Sequence, residues 1–174
     1  MHDNPNSGDL PPSQNDRVNA AWQQLNLVLS FFSRVDTKLS VALGVNLGML
    51  AMLAARLPKA DDFTLLIAAL GLAFVAPLAL SFWHIWHGYF PDLRGGTGSL
   101  IYFHPISKMK ENEFRNACVS RSTQELEDDI LSQCWRNSKI LTCKFHSLRH
   151  AYFAAVVAII PWMALIAVLP PPAK

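Results

Sequence analysis

Residues 63–85 read FTLLIAALGLAFVAPLALSFWHI, a run without a single Asp, Glu, Lys or Arg. At about 1.5 Å per residue, a helix of close to 20 residues matches a hydrocarbon core of roughly 30 Å. Two further runs have the same character, LSVALGVNLGMLAMLAA at 39–55 and AYFAAVVAIIPWMALIAVL at 151–169. A buried hairpin in a soluble domain can imitate one such run. Three of them in 174 residues leave too few polar positions to build a soluble shell. The chain is therefore predicted to be an all-α membrane protein with three transmembrane helices.

The first residues, MHDNPNSGDLPPSQNDR, are rich in Pro, Asn, Asp and Ser and lack the apolar segment of a signal peptide. They predict a disordered tail, which makes 39–55 the first span and the internal targeting signal. Orientation follows from Lys and Arg. Twelve of the fifteen basic residues lie before the first span or in the insert between the second and third, two segments that share a side. Only Arg56, Lys59 and Lys174 fall on the other. The positive-inside rule then makes the N-terminus and the insert cytoplasmic. Cys118, Cys134 and Cys143 all fall in the insert, are odd in number and form no C-x-x-C pair, so reduced thiols are expected.

The cytoplasmic part reads as two amphipathic extensions of membrane helices. Trp22, Leu25, Val28, Phe32, Val35 and Leu39 recur at helical spacing and run into the first span without Pro or Gly. Ser122-x-x-Glu125 has the form of a capping box, and Glu125, Glu127, Asp128 and Asp129 suit the positive end of a helix dipole. The stripe Leu126, Ile130, Cys134, Leu141, Phe145, Leu148 and Tyr152 continues into the third span, and the two extensions are expected to zip together as a stalk. Between them, Gly88, Pro91, Gly95, Gly96 and Gly98 break any helix. Residues 99–103, SLIYF, suit a strand or a hydrophobic plug, and Ser107 suits the cap of a short helix over 108–119. The expected organisation is a cytoplasmic tail (1–19), a cytoplasmic helix continuing into the first span (20–57), the second span (63–86), a cytoplasmic connector (87–121), a cytoplasmic helix continuing into the third span (122–169) and an external tail (170–174).

Within the first span, Gly44-Val-Asn46-Leu-Gly48 is a small-xxx-small pattern with an amide in its middle. It fits either an oligomer or pore seam or close packing within the monomer. Pro77 and Pro161 allow kinks in the other two spans. No ionisable residue sits near a bilayer centre, which removes the support for proton-relay and ion-coupled transport.

His84-x-x-His87 and His146-x-x-x-His150 place imidazole pairs at helical spacing on one side of the membrane, with His104 as a possible addition. Such pairs suit a metal, as in membrane di-iron oxygenases, but those enzymes need more histidines and carboxylates as well. No Walker loop, HExxH or GxSxG motif is present, and no catalytic or metal constellation is assigned. A binding site is the better reading of the connector. Arg94-Gly-Gly-Thr-Gly-Ser99 offers backbone N–H groups, hydroxyls and a guanidinium for one phosphate diester. Tyr102, Phe103 and His104 offer stacking faces for a base, and Lys108, Lys110 and Arg115 add positive charge.

Three segments carry a family resemblance. Arg34-Val-Asp36-Thr-Lys38-Leu-Ser lies at the start of the first span. Residues 99–106, SLIYFHPI, are followed by Glu111-Asn-Glu113-Phe114. Asp129-Ile130 through Ser138-Lys-Ile and Lys144-Phe145 lead into the last span. Together, over roughly 20–169, the chain resembles Pycsar effector proteins of the transmembrane class. The resemblance implies abortive infection against phage. A separate cyclase would make cyclic UMP or cyclic CMP, the effector, as a homo-oligomer in the lipid bilayer, would bind it on its cytoplasmic side, and the membrane would be impaired. It implies no cofactor, no nucleic acid polymer and no enzymatic activity. On this reading Asp36 and Lys38 form a coupling ion pair, and Arg94, Ser99, Tyr102, His104 and Lys108 contact the ligand. Growth arrest on ligand would then be abolished by Asp36→Ala or Lys38→Ala. The alternatives are a constitutive membrane scaffold, with no nucleotide affinity, and a histidine-rich membrane metalloenzyme, with bound iron or zinc.

Overall fold

A computed structural model describes residues 13–58, 63–90, 96 and 98–170. Five helices follow one another: α1 (Gln14–Ala54), α2 (Leu65–Tyr89), α3 (Phe103–Ile106), α4 (Glu111–Ser120) and α5 (Thr123–Val168). No strand occurs among the described residues. Three of the helices, α1, α2 and α5, are long and apolar enough to cross a membrane.

Each long helix starts at a polar cap. α1 begins earlier than its apolar stripe suggests, inside the segment expected as tail. The Ser13 N–H and hydroxyl donate to Asp16 Oδ2 at 3.2 and 2.6 Å, and the Asp16 N–H returns to Ser13 Oγ at 3.2 Å. That reciprocal pair satisfies the first free donors of the helix. At α2 the Thr64 hydroxyl accepts from Ile67 N. At α5 the capping box forms as read: the Ser122 N–H and hydroxyl both donate to Glu125 Oε2 at 2.8 Å. Pro77 and Pro161 lie inside α2 and α5 without ending either, as prolines in membrane helices do when neighbours take up the freed backbone groups.

The chain divides into two units. Unit 2 comprises 31–92 and 140–174 and contains all three charge-free runs. Its core has one cluster of Val35, Leu39, Ala42, Ile85, Leu148 and Ala151 and another of Met49, Phe74, Leu78, Ala158, Leu165 and Leu169. Close approach is made by small residues: a Cβ on Gly88 would lie 2.9 Å from Leu39 Cδ1. Two side chains bond a neighbouring helix's backbone, Trp162 Nε1 to the Met49 carbonyl at 3.1 Å and Arg56 Nη1 to the Ile166 carbonyl at 3.2 Å. A third link joins all three helices. Asn46 Nδ2 donates to Ser81 Oγ at 2.8 Å, and the Ser81 hydroxyl donates to the Ala151 carbonyl at 2.9 Å, with both side chains fully buried.

The glycines beside Asn46 take no part in this packing. Gly44 and Gly48 are exposed, and a Cβ on either would meet nothing within 4 Å. The reason is helical phase. Ala42, Asn46 and Met49 share the inward face, and residues two positions away point about 200° off it. The pattern of small residues thus splits: Asn46 serves the monomer, and the glycines do not.

Unit 1 comprises 1–30 and 93–139. The first part of α1 meets the first part of α5 through Ala21, Leu25, Ile130 and Cys134, with Leu126 and Ile101 packed against them. Residues 99–103 form neither the strand nor a full plug: Ile101 joins this core, whereas Phe103 is exposed and begins α3. Ser107 follows α3 and donates to the His104 carbonyl; it does not cap α4, whose first turn is closed by Lys110 N donating to Glu113 Oε2.

The link through Ser81 generates a stability prediction. A double-mutant cycle between Asn46→Val and Ser81→Ala, read from unfolding in bicelles, is expected to give a favourable coupling of about 0.6–1.7 kcal/mol, the range of interhelical hydrogen bonds in membranes. A coupling of zero would mean that the two side chains do not bond.

Candidate ligand-binding site

The described part of the Gly-rich connector is tied to α5 by one carboxylate. Gly98 adopts a φ of +79°, open to glycine without strain. The turn that follows is closed by Ser99 Oγ, which accepts from Ile101 N at 3.2 Å and Tyr102 N at 3.1 Å. Leu100 N then donates to Asp129 Oδ2 at 2.9 Å, and Arg121 Nη1 donates to the same oxygen at 2.7 Å. Asp129 is largely buried, and the Arg121 guanidinium balances its charge there. Arg17 and Glu127 add a further ion pair at 2.9 Å between α1 and α5.

An open cavity of about 290 Å³ lies beside this hub, lined by Gly98, Ser99, Arg121, Asp129, Ser132 and Arg136, with Glu125 and Asp128 at its rim. A second, of about 530 Å³, shares Asp128, Ser132 and Arg136 with it and adds Leu131 and Trp135. The charges are unequally committed. Arg121 is held by Asp129, and Glu125 is held by Ser122. Arg136 Nη1 is buried without a hydrogen-bond partner among the described residues. Gly96 sits directly on that guanidinium: a Cβ there would overlap it. A side chain at 96 would displace the end of Arg136.

Of the residues singled out in the sequence, Ser99 lines the cavity, with its hydroxyl engaged in its own turn. Tyr102, His104 and Lys108 do not line it. The Tyr102 ring lies 4.7 Å from Phe103, and His104 and Lys108 are exposed. Arg94 lies outside the described residues. Sequence reasoning missed Arg121, Asp128, Asp129, Ser132 and Arg136. A signal was present, since Asp128, Ser132 and Arg136 are spaced by four and so share one face of α5. Asp129, whose place in the sequence suits the helix dipole, is buried with Arg121 and Leu100 N both donating to its Oδ2.

In unit 2 the expected Asp36–Lys38 pair is corrected. Residues two apart on a helix face different sides. Asp36 instead receives Lys144 Nζ from α5 at 2.6 Å. Lys144 is buried, and its ammonium also lies 5.8 Å from the Phe32 ring. Among the described residues Lys38 forms no ion pair, and its carbonyl accepts from the Tyr152 hydroxyl at 3.2 Å. The histidines converge in part. His150 lies 5.1 Å from His84 and 4.1 Å from His146 between ring centroids, while His87 packs on Trp83. Among the described residues no three His, Cys, Asp or Glu side chains are arranged to hold a metal ion.

Fold and site together define a multi-pass helical membrane protein whose charged unit carries a cavity of small-ligand size. Residues 20–170 match the family model PycTM, the Pycsar effector protein domain. The chain belongs to the Pycsar effector family and is an antiphage effector. No curated protein and no solved structure matches it.

Two expectations follow from these contacts. Asp36→Ala strands the buried Lys144 ammonium and is expected to destabilise the protein by about 1–3 kcal/mol, toward the low end because water reaches Asp36. Lys144→Met, which removes the buried charge, and Lys38→Ala, which removes no ion pair, should each cost less in the same thermal or denaturant assay. The second expectation concerns acid. The Ser122 N–H and then its hydroxyl hold the Glu125 carboxyl below its ordinary value of 4.5. A depressed folded pKa stabilises the protein above the unfolded value and loses that contribution as pH falls through the folded one. The start of α5 should therefore loosen below pH 4.5 in wild type, with a shallower acid dependence in Glu125→Gln, as read by amide hydrogen exchange.

Proposed function

We propose that this effector binds cyclic UMP or cyclic CMP in unit 1, on the cytoplasmic side of the bacterial inner membrane, and impairs that membrane when it does. The observation that carries the reading is the match to the effector family over residues 20–170, which takes in both the charged unit and all three apolar runs. The distribution of Lys and Arg supports a cytoplasmic N-terminus and insert. The cavity is of small-ligand size, and Arg136, the guanidinium in its lining that is not paired with Asp129, supports an anionic group on the ligand. A nucleotide with one negative charge does not force a bundle of membrane helices open. It shifts a two-state equilibrium by the difference in its affinity for the two states. α1 and α5 each belong to both units, which gives such a shift a continuous helical path. The exposed Gly44 and Gly48 face leaves room for a second copy of the chain, consistent with a homo-oligomer. The ligand comes from a separate cyclase, and the effector itself performs no covalent chemistry.

The test is calorimetric titration of the detergent-purified full chain with cyclic UMP, cyclic CMP, cyclic AMP and cyclic GMP, paired with dye-reported depolarisation of cells that express it. Saturable binding of a pyrimidine nucleotide, with depolarisation only when that nucleotide is produced, is the expected result. A folded sample that binds none of the four would overturn the proposal and leave the scaffold reading.

A further inference from the structure

The strongest unassigned chemistry in the molecule is the α5 face that carries Asp128, Ser132 and Arg136, together with Trp135 beside it. We infer that this face is the nucleotide cradle: Arg136 and Ser132 take the cyclic phosphodiester, Asp128 accepts the ribose 2′-hydroxyl, and the base lies on Trp135. The inference rests on the function proposed above and assigns its atoms.

A buried guanidinium nitrogen without a partner is costly, and an anion satisfies it. Arg136 Nη1 is such an atom, covered by Gly96, while the Arg136 side chain lines both cavities; Arg121, the other guanidinium there, is already closed on Asp129 at 2.7 Å. Arg136 is therefore the guanidinium left for a ligand. A helical side chain leans toward the N-terminus, so Arg136 reaches over Ser132, whose exposed hydroxyl lies one turn earlier. A planar guanidinium with a hydroxyl beside it suits two oxygens of a phosphodiester.

One more turn toward the N-terminus stands Asp128, exposed and on the rim of both cavities. A carboxylate accepts hydrogen bonds and donates none, so it repels the phosphate and attracts a hydroxyl. The face is thus polar in a fixed direction, with anion toward Arg136 and hydroxyl toward Asp128. Trp135 is 64% exposed and opens onto the larger cavity, with Lys139 5.4 Å from its ring. An exposed indole beside a cation is a stacking platform for a base. Gly96 closes the arrangement from the connector side. Because its backbone rests on the Arg136 guanidinium, an anion captured there is felt by the segment that leads through Gly98 and Ser99 to Asp129.

Calorimetry on the full chain with cyclic UMP tests the assignment. Arg136→Gln is expected to weaken binding at least tenfold and to flatten its salt dependence, with partial recovery in Arg136→Lys. Trp135→Leu should weaken it about tenfold, and Val119→Ala, exposed on α4 and outside the cavity, should leave it unchanged. Asp128→Asn should weaken cyclic UMP but not 2′-deoxy cyclic UMP, which wild type already binds less tightly. Wild-type affinity in Arg136→Gln overturns this site while the effector reading stands. A folded wild-type chain that binds no cyclic nucleotide overturns both. Should Arg136→Gln lose its helical circular dichroism, the Asp128→Asn and 2′-deoxy comparison decides, because Asp128 is exposed: equal losses for both nucleotides would overturn the assignment.

Discussion

The membrane part of this protein depends on a hydrogen-bond relay at a single level of the bundle, from Asn46 through Ser81 to the carbonyl of Ala151. In hydrocarbon, lipid tails compete with side chains for apolar contact, so burying leucine against leucine brings little net gain. Association has to come from close packing and from polar groups that would otherwise be stranded. Asn46 supplies the second and the surrounding alanines the first: Ala42, Ala151, Ala154 and Ala158 are all buried. Asn46 Oδ1 remains without a partner among the described residues, so the relay carries one unsatisfied acceptor into the apolar core.

Unit 1 is built by other rules. Its apolar core is small, made chiefly of Ala21, Leu25, Ile130 and Cys134. Ion pairs and caps carry much of its definition. Asp129 is the organising group, since one oxygen binds both the Arg121 guanidinium and the Leu100 backbone. Removing either donor would leave a buried carboxylate undercompensated, which is why an acidic residue is stable in that position. Beside it the connector takes a positive φ at Gly98, which lines the cavity, and Gly96 lies against the Arg136 guanidinium.

These two sets of rules suit an effector in an antiphage system. Unit 1 is polar, with a cavity whose charges are partly uncommitted. Unit 2 is held by a few specific polar contacts among small residues. The ion pair of Asp36 with the buried Lys144 belongs to the same logic, as a charged contact between α1 and α5 that changes if either helix moves.

Composition and periodicity were enough to determine the three spans, the all-α class, the Ser122–Glu125 cap and, through short segments, the family. Each is local: a span is a run of apolar residues, and a cap is a pair of residues three apart. Which faces meet was decided only in three dimensions. The sequence offers Asp36 and Lys38 as neighbours, but helical phase separates them and brings Lys144 from far along the chain to Asp36. It offers Gly44, Asn46 and Gly48 as one motif, but the same phase sends the amide inward and the glycines outward. It marks the Gly-rich connector as a ligand site, whereas the cavity is lined largely by α5 residues. Their significance rests on where Gly96, Gly98 and Arg121 come to lie, a long-range fact that no local pattern encodes.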